Sequence, residues 1–165
     1  MISSFFSVYK EYCLNKNDEI RLNFVYNLPA MLKTFGIKYF DHIKTNYLNL
    51  FLTDTKEIKI SCISGLSEVI KMMVLDDAYK LFSDPICEFI TNVENIEDSE
   101  LMKKTMPIIP EIMEVMNPRK NNEEVHEIHR QFYEDFMECL LALNKKFETK
   151  WRLQFSLLKI FSERK

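Results

Sequence analysis

The sequence predicts an all-α fold of about four antiparallel helix pairs stacked in order, and three observations carry that expectation. Only 2 glycines and 5 prolines occur in 165 residues, which leaves little of the turn chemistry a sheet protein needs. Leu, Ile, Met, Phe, Lys and Glu dominate, as they do in packed amphipathic helices. The third observation is internal repetition. The stretch 18–36, DEIRLNFVYNLPAMLKTFG, returns weakly at 57–73 as EIKISCISGLSEVIKMM. Ile20, Arg21, Phe24, Leu28, Met31, Leu32, Lys33 and Phe35 are matched by Ile58, Lys59, Cys62, Leu66, Val69, Ile70, Lys71 and Met73. The offset is about 38 residues, the period of a helical repeat.

Each element has its own local reason. Residues 1–14 carry Ile2, Phe5, Phe6, Tyr9, Tyr12 and Cys13 at helical spacing, and NKND then supplies a polar turn. The helix over 18–35 has one apolar row through Phe24, Leu28, Met31 and Phe35 and a second through Leu22, Val25, Tyr26 and Pro29. Such a helix is expected to pack on two flanks. Gly36 is placed to cap its C-terminus. A third helix is expected over 37–53, with Phe40, Ile43, Tyr47, Leu48 and Phe51 on one side. Asp54 stands three residues before Glu57, so a pair resembling a capping box is expected to start the helix over 55–73.

The pattern over 75–92 runs through Ala78, Leu81, Phe82, Ile86, Phe89 and Ile90, with Ser83-Asp84-Pro85 expected to break or kink it. An acidic turn containing Glu94, Glu97 and Asp98 leads to a helix over 99–116. There IPEIMEVM resembles the earlier LPAMLKTF and places Pro110 where Pro29 stood, so a bend at one shared level is expected. NPRKNN at 117–122 reads as a loop. A long helix follows over 123–143, with Val125, Ile128, Phe132, Phe136 and Leu140 on one stripe, and a last helix begins near Lys150, where KWRLQF restates EIRLNF. The expected organisation is one domain over 1–165 with repeats at about 1–36, 37–74, 75–117 and 118–165, standing alone or as part of a longer solenoid. A compact eight-helix bundle is the competing architecture.

The hydrophobic content of 47% is enough for a continuous core. A formal charge of -3 points to no electrostatic partner of either sign, and nothing calls for nucleic acid. Cys13, Cys62, Cys87 and Cys139 form no CxxC pair and read as reduced core thiols. Without an apolar window near ~18 residues or a basic, apolar leader, no membrane association is expected, and a cytoplasmic or nuclear location is.

Taken in order, RLNFVYNLPAMLKTFG, DTKEIKISCISGLSEVIKMM, MPIIPEIMEVM and TKWRLQFSLLKIF resemble the HEAT repeats of Ser/Thr protein phosphatase regulatory and scaffold subunits, of type 4 and more distantly type 2A. The similar segments cover about 18–161. The resemblance implies an armadillo-like α-solenoid that is no enzyme and holds a phosphatase catalytic subunit. It also implies an arginine ladder between repeats, a place that Arg21 and Arg152 fill, Lys59 fills weakly because lysine lacks the planar fork, and Met102 departs from. Related scaffolds grip their partner through intra-repeat turns. That singles out Trp151, Arg152 and Lys150, then Lys56 and Glu57, then Asp18 and Glu19. A HEAT-type adaptor for transport or for nucleic-acid-associated complexes is the alternative.

Chemistry beyond binding is sparsely signalled. Glycine-rich phosphate loops, HExxH and zinc-type cysteine spacing are all missing from the sequence. The nearest approach is Glu123, His126, Glu127, His129 and Glu134, since Glu-x-x-His puts two metal-capable side chains on adjacent turns. A matching motif on a second helix is lacking, and His42 is the only other histidine, so this group reads as a solvated polar face. No metal and no cofactor is expected. The methionines on the inner helices read as adaptable core filling.

Overall fold

The computed structural model describes residues 2–119 and 124–147, with side chains from Val8 onward. All of the described regular structure is helical. The chain divides into two compact units between Met73 and Val74.

The first unit holds α1 (Ile2–Cys13), α2 (Asp18–Phe35), a 3-10 stretch (Ile37–His42), α3 (Lys44–Thr53) and α4 (Lys56–Ile70). Asn17 caps α2 by accepting the Glu19 N–H at 2.9 Å. Gly36, at φ 105°, ends it and donates its own N–H to Leu32 O; this is a backbone conformation that favours glycine. The buried face of α2 is Phe24, Val25, Leu28 and Leu32. Tyr26, assigned to the second apolar row, is instead 75% exposed.

The expected third helix is split. Ile37, Phe40 and Ile43 recur every three residues, a spacing that suits 3-10 geometry as well as an α-helix. Phe40 and Ile43 are both buried, and Ile43 leaves helical geometry at φ -127° and ψ -8° before α3 begins.

The 38-residue correspondence is visible in the hydrogen bonding. Tyr9, on α1, donates its hydroxyl to Phe24 O at 3.1 Å, and Tyr47, on α3, donates to Cys62 O at 2.8 Å. Donor and acceptor are each displaced by the same 38 positions. Phe24, Leu28 and Leu32 on α2 and their counterparts Cys62, Leu66 and Ile70 on α4 are all buried. α1 packs on α2 and α3, and α4 packs on α2 and α3. Gly65 lies against Pro29: a Cβ at Gly65 would come 3.0 Å from Pro29 Cγ, so the missing side chain allows α2 and α4 to approach.

The second unit holds α5 (Leu75–Thr91), α6 (Val93–Glu97), α7 (Ser99–Thr105), α8 (Ile109–Val115) and α9 (Glu127–Lys146). Of the expected break or kink at Pro85 the break does not occur: α5 continues through it, with buried Phe82, Ile86, Phe89 and Ile90 on either side. The acidic turn proves to be the short α6, whose Asn95 is buried and donates to Phe89 O at 3.0 Å. The expected helix over 99–116 is two helices. Pro110 lies at the start of α8, where a missing N–H costs nothing, whereas Pro29 lies inside α2, so the two prolines do not share a level. The tyrosine spacing also changes, since Tyr79 donates its hydroxyl to Met116 O, 37 residues away.

α5 and α9 pack side by side and run parallel. Asp76 meets His129 and Tyr79 meets Phe132, with ring centroids 5.2 Å apart. Buried Phe132, Phe136, Leu140 and Leu143 supply the apolar face of α9, whose start falls at Glu127.

Candidate functional site

Two groups of polar side chains stand out, one in each unit. In the first unit, the turns that precede α2 and α4 are joined by Arg21. Its guanidinium donates from Nε to Asp54 Oδ2 and from Nη2 to Asp54 Oδ1, both at 2.8 Å. It also reaches Asn15 O at 2.7 Å and Asp18 Oδ1 at 2.8 Å. The pair is largely shielded, with side chains 15% and 12% exposed. Burial alone would raise the Asp54 carboxyl, but hydrogen bonds from Arg21 and the Thr55 N–H, together with the Arg21 and Lys59 charges, hold it below the usual carboxylate range.

This settles the structural role of Asp54. Thr55 occupies the N-cap position of α4 and makes no side-chain cap bond. Asp54, one residue earlier, accepts the Thr55 N–H at 2.7 Å and binds Arg21. The group with Glu57 is therefore not the reciprocal capping box that the spacing suggests. Lys59 is buried on α4, and its charge adds a smaller contribution to holding Asp54 down. Asp18, Glu19 and Glu57 are exposed around this junction and Lys56 is half-buried. Lys150, Trp151 and Arg152 lie outside the described residues.

The second group is at the paired N-terminal ends of α5 and α9. Asp76 presents its carboxylate to both histidines of α9: His129 Nε2 lies 2.9 Å from Oδ1, and His126 Nδ1 lies 3.2 Å from Oδ2 and 3.3 Å from Oδ1. His129 Nδ1 accepts the His126 backbone N–H at 3.2 Å. A ring nitrogen that accepts carries no proton, so the His129 proton sits on Nε2 and is donated to Asp76. The two imidazoles stack with centroids 5.3 Å apart, and Tyr79 closes on His129 at 4.4 Å. Burial works to raise Asp76, but the hydrogen bonds and charges of His126 and His129 outweigh it and hold the carboxyl below its ordinary value.

His129 is fully buried, which corrects the expectation of a solvated polar face. Glu127 and Glu134 are exposed, Glu127 accepting from Arg130 at 3.1 Å, and Glu123 lies outside the described residues. The carboxylate that completes the group, Asp76, was not singled out by the sequence. Two adjacent aspartates at a helix start read as a favourable response to the helix dipole, and only the α5–α9 pairing reveals where the first of them faces. Beside His129 opens a cavity of 370 Å³ whose walls include Arg119, Val125, Arg130 and Tyr133.

The chain matches no family model, no curated protein and no solved structure. Among the described residues, no helix is long and apolar enough to cross a membrane.

Proposed function

We propose that this chain is a non-catalytic, HEAT-type helical-repeat scaffold whose inter-helix turns bind a Ser/Thr protein phosphatase catalytic subunit of type 4 or 2A. The observation that carries the scaffold reading is the 38-residue equivalence in the first unit, where Tyr9 to Phe24 O and Tyr47 to Cys62 O repeat one buried hydrogen bond. Repeated hairpins that bury only part of their apolar surface gain stability by stacking, and they leave a row of turns at one edge for a partner. The Arg21–Asp54 junction supports the same reading, because it fixes two successive turns side by side with Asp18, Glu19 and Glu57 exposed around them. The choice of a phosphatase as the occupant rests on the resemblance of the repeat sequences.

A few anchors are expected to supply most of the affinity, since buried aromatic and arginine side chains dominate interface energies. The test is capture of purified type 4 and type 2A catalytic subunits by the immobilised chain. Trp151→Ala with Arg152→Ala, and separately Glu19→Lys with Glu57→Lys, should each reduce capture while the helical circular dichroism signal is kept. Failure of the unmodified chain to retain either catalytic subunit would refute the phosphatase assignment. Retention unchanged in both variants would remove the turns from the interface.

A further inference from the structure

We propose that Asp76, His126 and His129 form a binding site for a divalent transition-metal ion of the zinc type, a property independent of the scaffold reading. One carboxylate oxygen and two imidazole nitrogens, each from a different residue, lie within 4.8 Å of one another. Two nitrogen donors and one carboxylate suit zinc, cobalt, nickel or copper, whereas magnesium and calcium call for oxygen cages. Three protein ligands with space for water or another ligand is also the arrangement of an open zinc site.

The carboxylate distances need little change and the imidazole pair more. Zinc ligands at about 2.0–2.1 Å and tetrahedral angles stand roughly 3.3–3.4 Å from one another. From Asp76 Oδ1 the two imidazole nitrogens stand at 2.9 and 3.3 Å, so the first separation must open by a few tenths of an ångström and the second already fits, while the two nitrogens, within 4.8 Å of one another, must close by up to about 1.5 Å. His129 is held in place by burial and by the Tyr79 ring. The other two ligands face water, with His126 50% and Asp76 34% exposed, giving the ion a path in.

The proton balance gives the site a signature. Without metal, His129 keeps its proton on Nε2 and accepts the His126 amide at Nδ1. An ion takes the Nε2 lone pair, so the ring proton must move to Nδ1. His126, bound through Nδ1, likewise moves its single proton from Nδ1, where it faces the Asp76 carboxylate, to Nε2. The His126 backbone N–H thereby gives up its acceptor. Binding therefore opens the N-terminal cap of α9 while tying that helix more firmly to α5. Only an ion with high affinity for imidazole can offset that loss, which again favours the zinc-type series.

The experiment uses the full chain, stripped of metal with a chelator and titrated with Zn²⁺ alone by calorimetry, with Co²⁺ absorption as a second readout. Saturation at one ion per chain is expected. Loss of an outer-shell partner alone weakens metal sites by about 10–100-fold, so Asp76→Asn and His126→Gln, which remove direct ligands, should each weaken Zn²⁺ at least about tenfold. His42→Gln, in the first unit, should leave binding unchanged. His126 is half exposed, so its variant keeps the fold intact, as circular dichroism would verify; His129 is buried and its removal is avoided for that reason. Hydrogen exchange at the His126 amide should quicken on Zn²⁺ addition. Three results would each overturn the proposal: an undetectable Zn²⁺ isotherm, affinity unchanged in both ligand variants (as binding at cysteine thiols would give), or a His126 amide that stays equally protected.

Discussion

Removing the Arg21–Asp54 pair is the sharpest test of how the first unit is held together. Exposed ion pairs are worth about 0–1 kcal/mol, and breaking a buried one costs about 3–5 kcal/mol. This pair lies between those limits: both side chains are less than one-sixth exposed and joined by two parallel bonds of 2.8 Å, while the third partner, Asp18, is 63% exposed. A coupling of about 1–3 kcal/mol is expected, the range for hydrogen bonds to charged groups. The assay is a double-mutant cycle of Arg21→Met and Asp54→Asn, read by urea unfolding with far-UV circular dichroism. Methionine keeps the packing of the arginine stem, and asparagine keeps the shape of the carboxylate.

The pH dependence has a defined sign. Asp54 is depressed in the folded state, so its contribution is fully present above the unfolded value of about 3.9 and is lost as pH falls through the lower folded value. The coupling measured at pH 7 should therefore persist at pH 5 and shrink at more acid pH. A coupling below about 0.3 kcal/mol at pH 7 would make this an ordinary surface pair. One that survives full protonation of Asp54 would show that shape, and not charge, joins the turns.

Tyr9→Phe and Tyr47→Phe each remove one buried hydroxyl bond, so each should cost about 0.5–1.5 kcal/mol; a cost no larger than that of Tyr26→Phe at its exposed position would sink the claim that they are equivalent fixtures. Gly65→Ala should stabilise a Pro29→Ala background by about 0.5–1 kcal/mol, the usual helix preference for alanine, and should give less or the opposite sign with Pro29 present. Equal gains in both backgrounds would remove the steric argument. Phe136→Ala, at a fully buried position on α9, should cost about 3–5 kcal/mol in thermal or urea unfolding of the second unit. In iodoacetamide labelling of the native chain at pH 8, half-buried Cys139 should react before buried Cys13 and Cys62. All four cysteines should be slower than a free thiol, because burial pushes Cys13 up to about 12 and raises the other three as well.

What could be read in the sequence follows from how local its cause was. α2 is bounded as expected because Asn17 and Gly36 act within one turn of its ends and the apolar row between them has a single period. The same row, shifted by 38 residues, placed α4. The expectations that failed are those where local and distant forces disagree. Pro85 removes a donor from α5, yet Phe82, Ile86, Phe89 and Ile90 are buried on both sides of it, and that packing keeps the helix continuous at a position where local preference ends it. Phe40 and Ile43 are spaced equally well for a 3-10 or an α-helix, so the period could not separate the two.

The Asp76 group is the extreme case of a distant cause. His126 and His129 are three residues apart and were legible as a pair, but Asp76 is 50 residues away, on a helix whose own pattern gave it a sufficient local role. Its placement depends on α5 and α9 running parallel, and that direction follows from the intervening α6, α7 and α8, which together return the chain to the end of α5 where it started. A carboxylate and a buried imidazole brought together by that path satisfy each other's hydrogen bonds without any ion. The group therefore holds the helix ends as it stands, and a metal ion would take the place between its donor atoms at the cost of the hydrogen bond from the His126 amide.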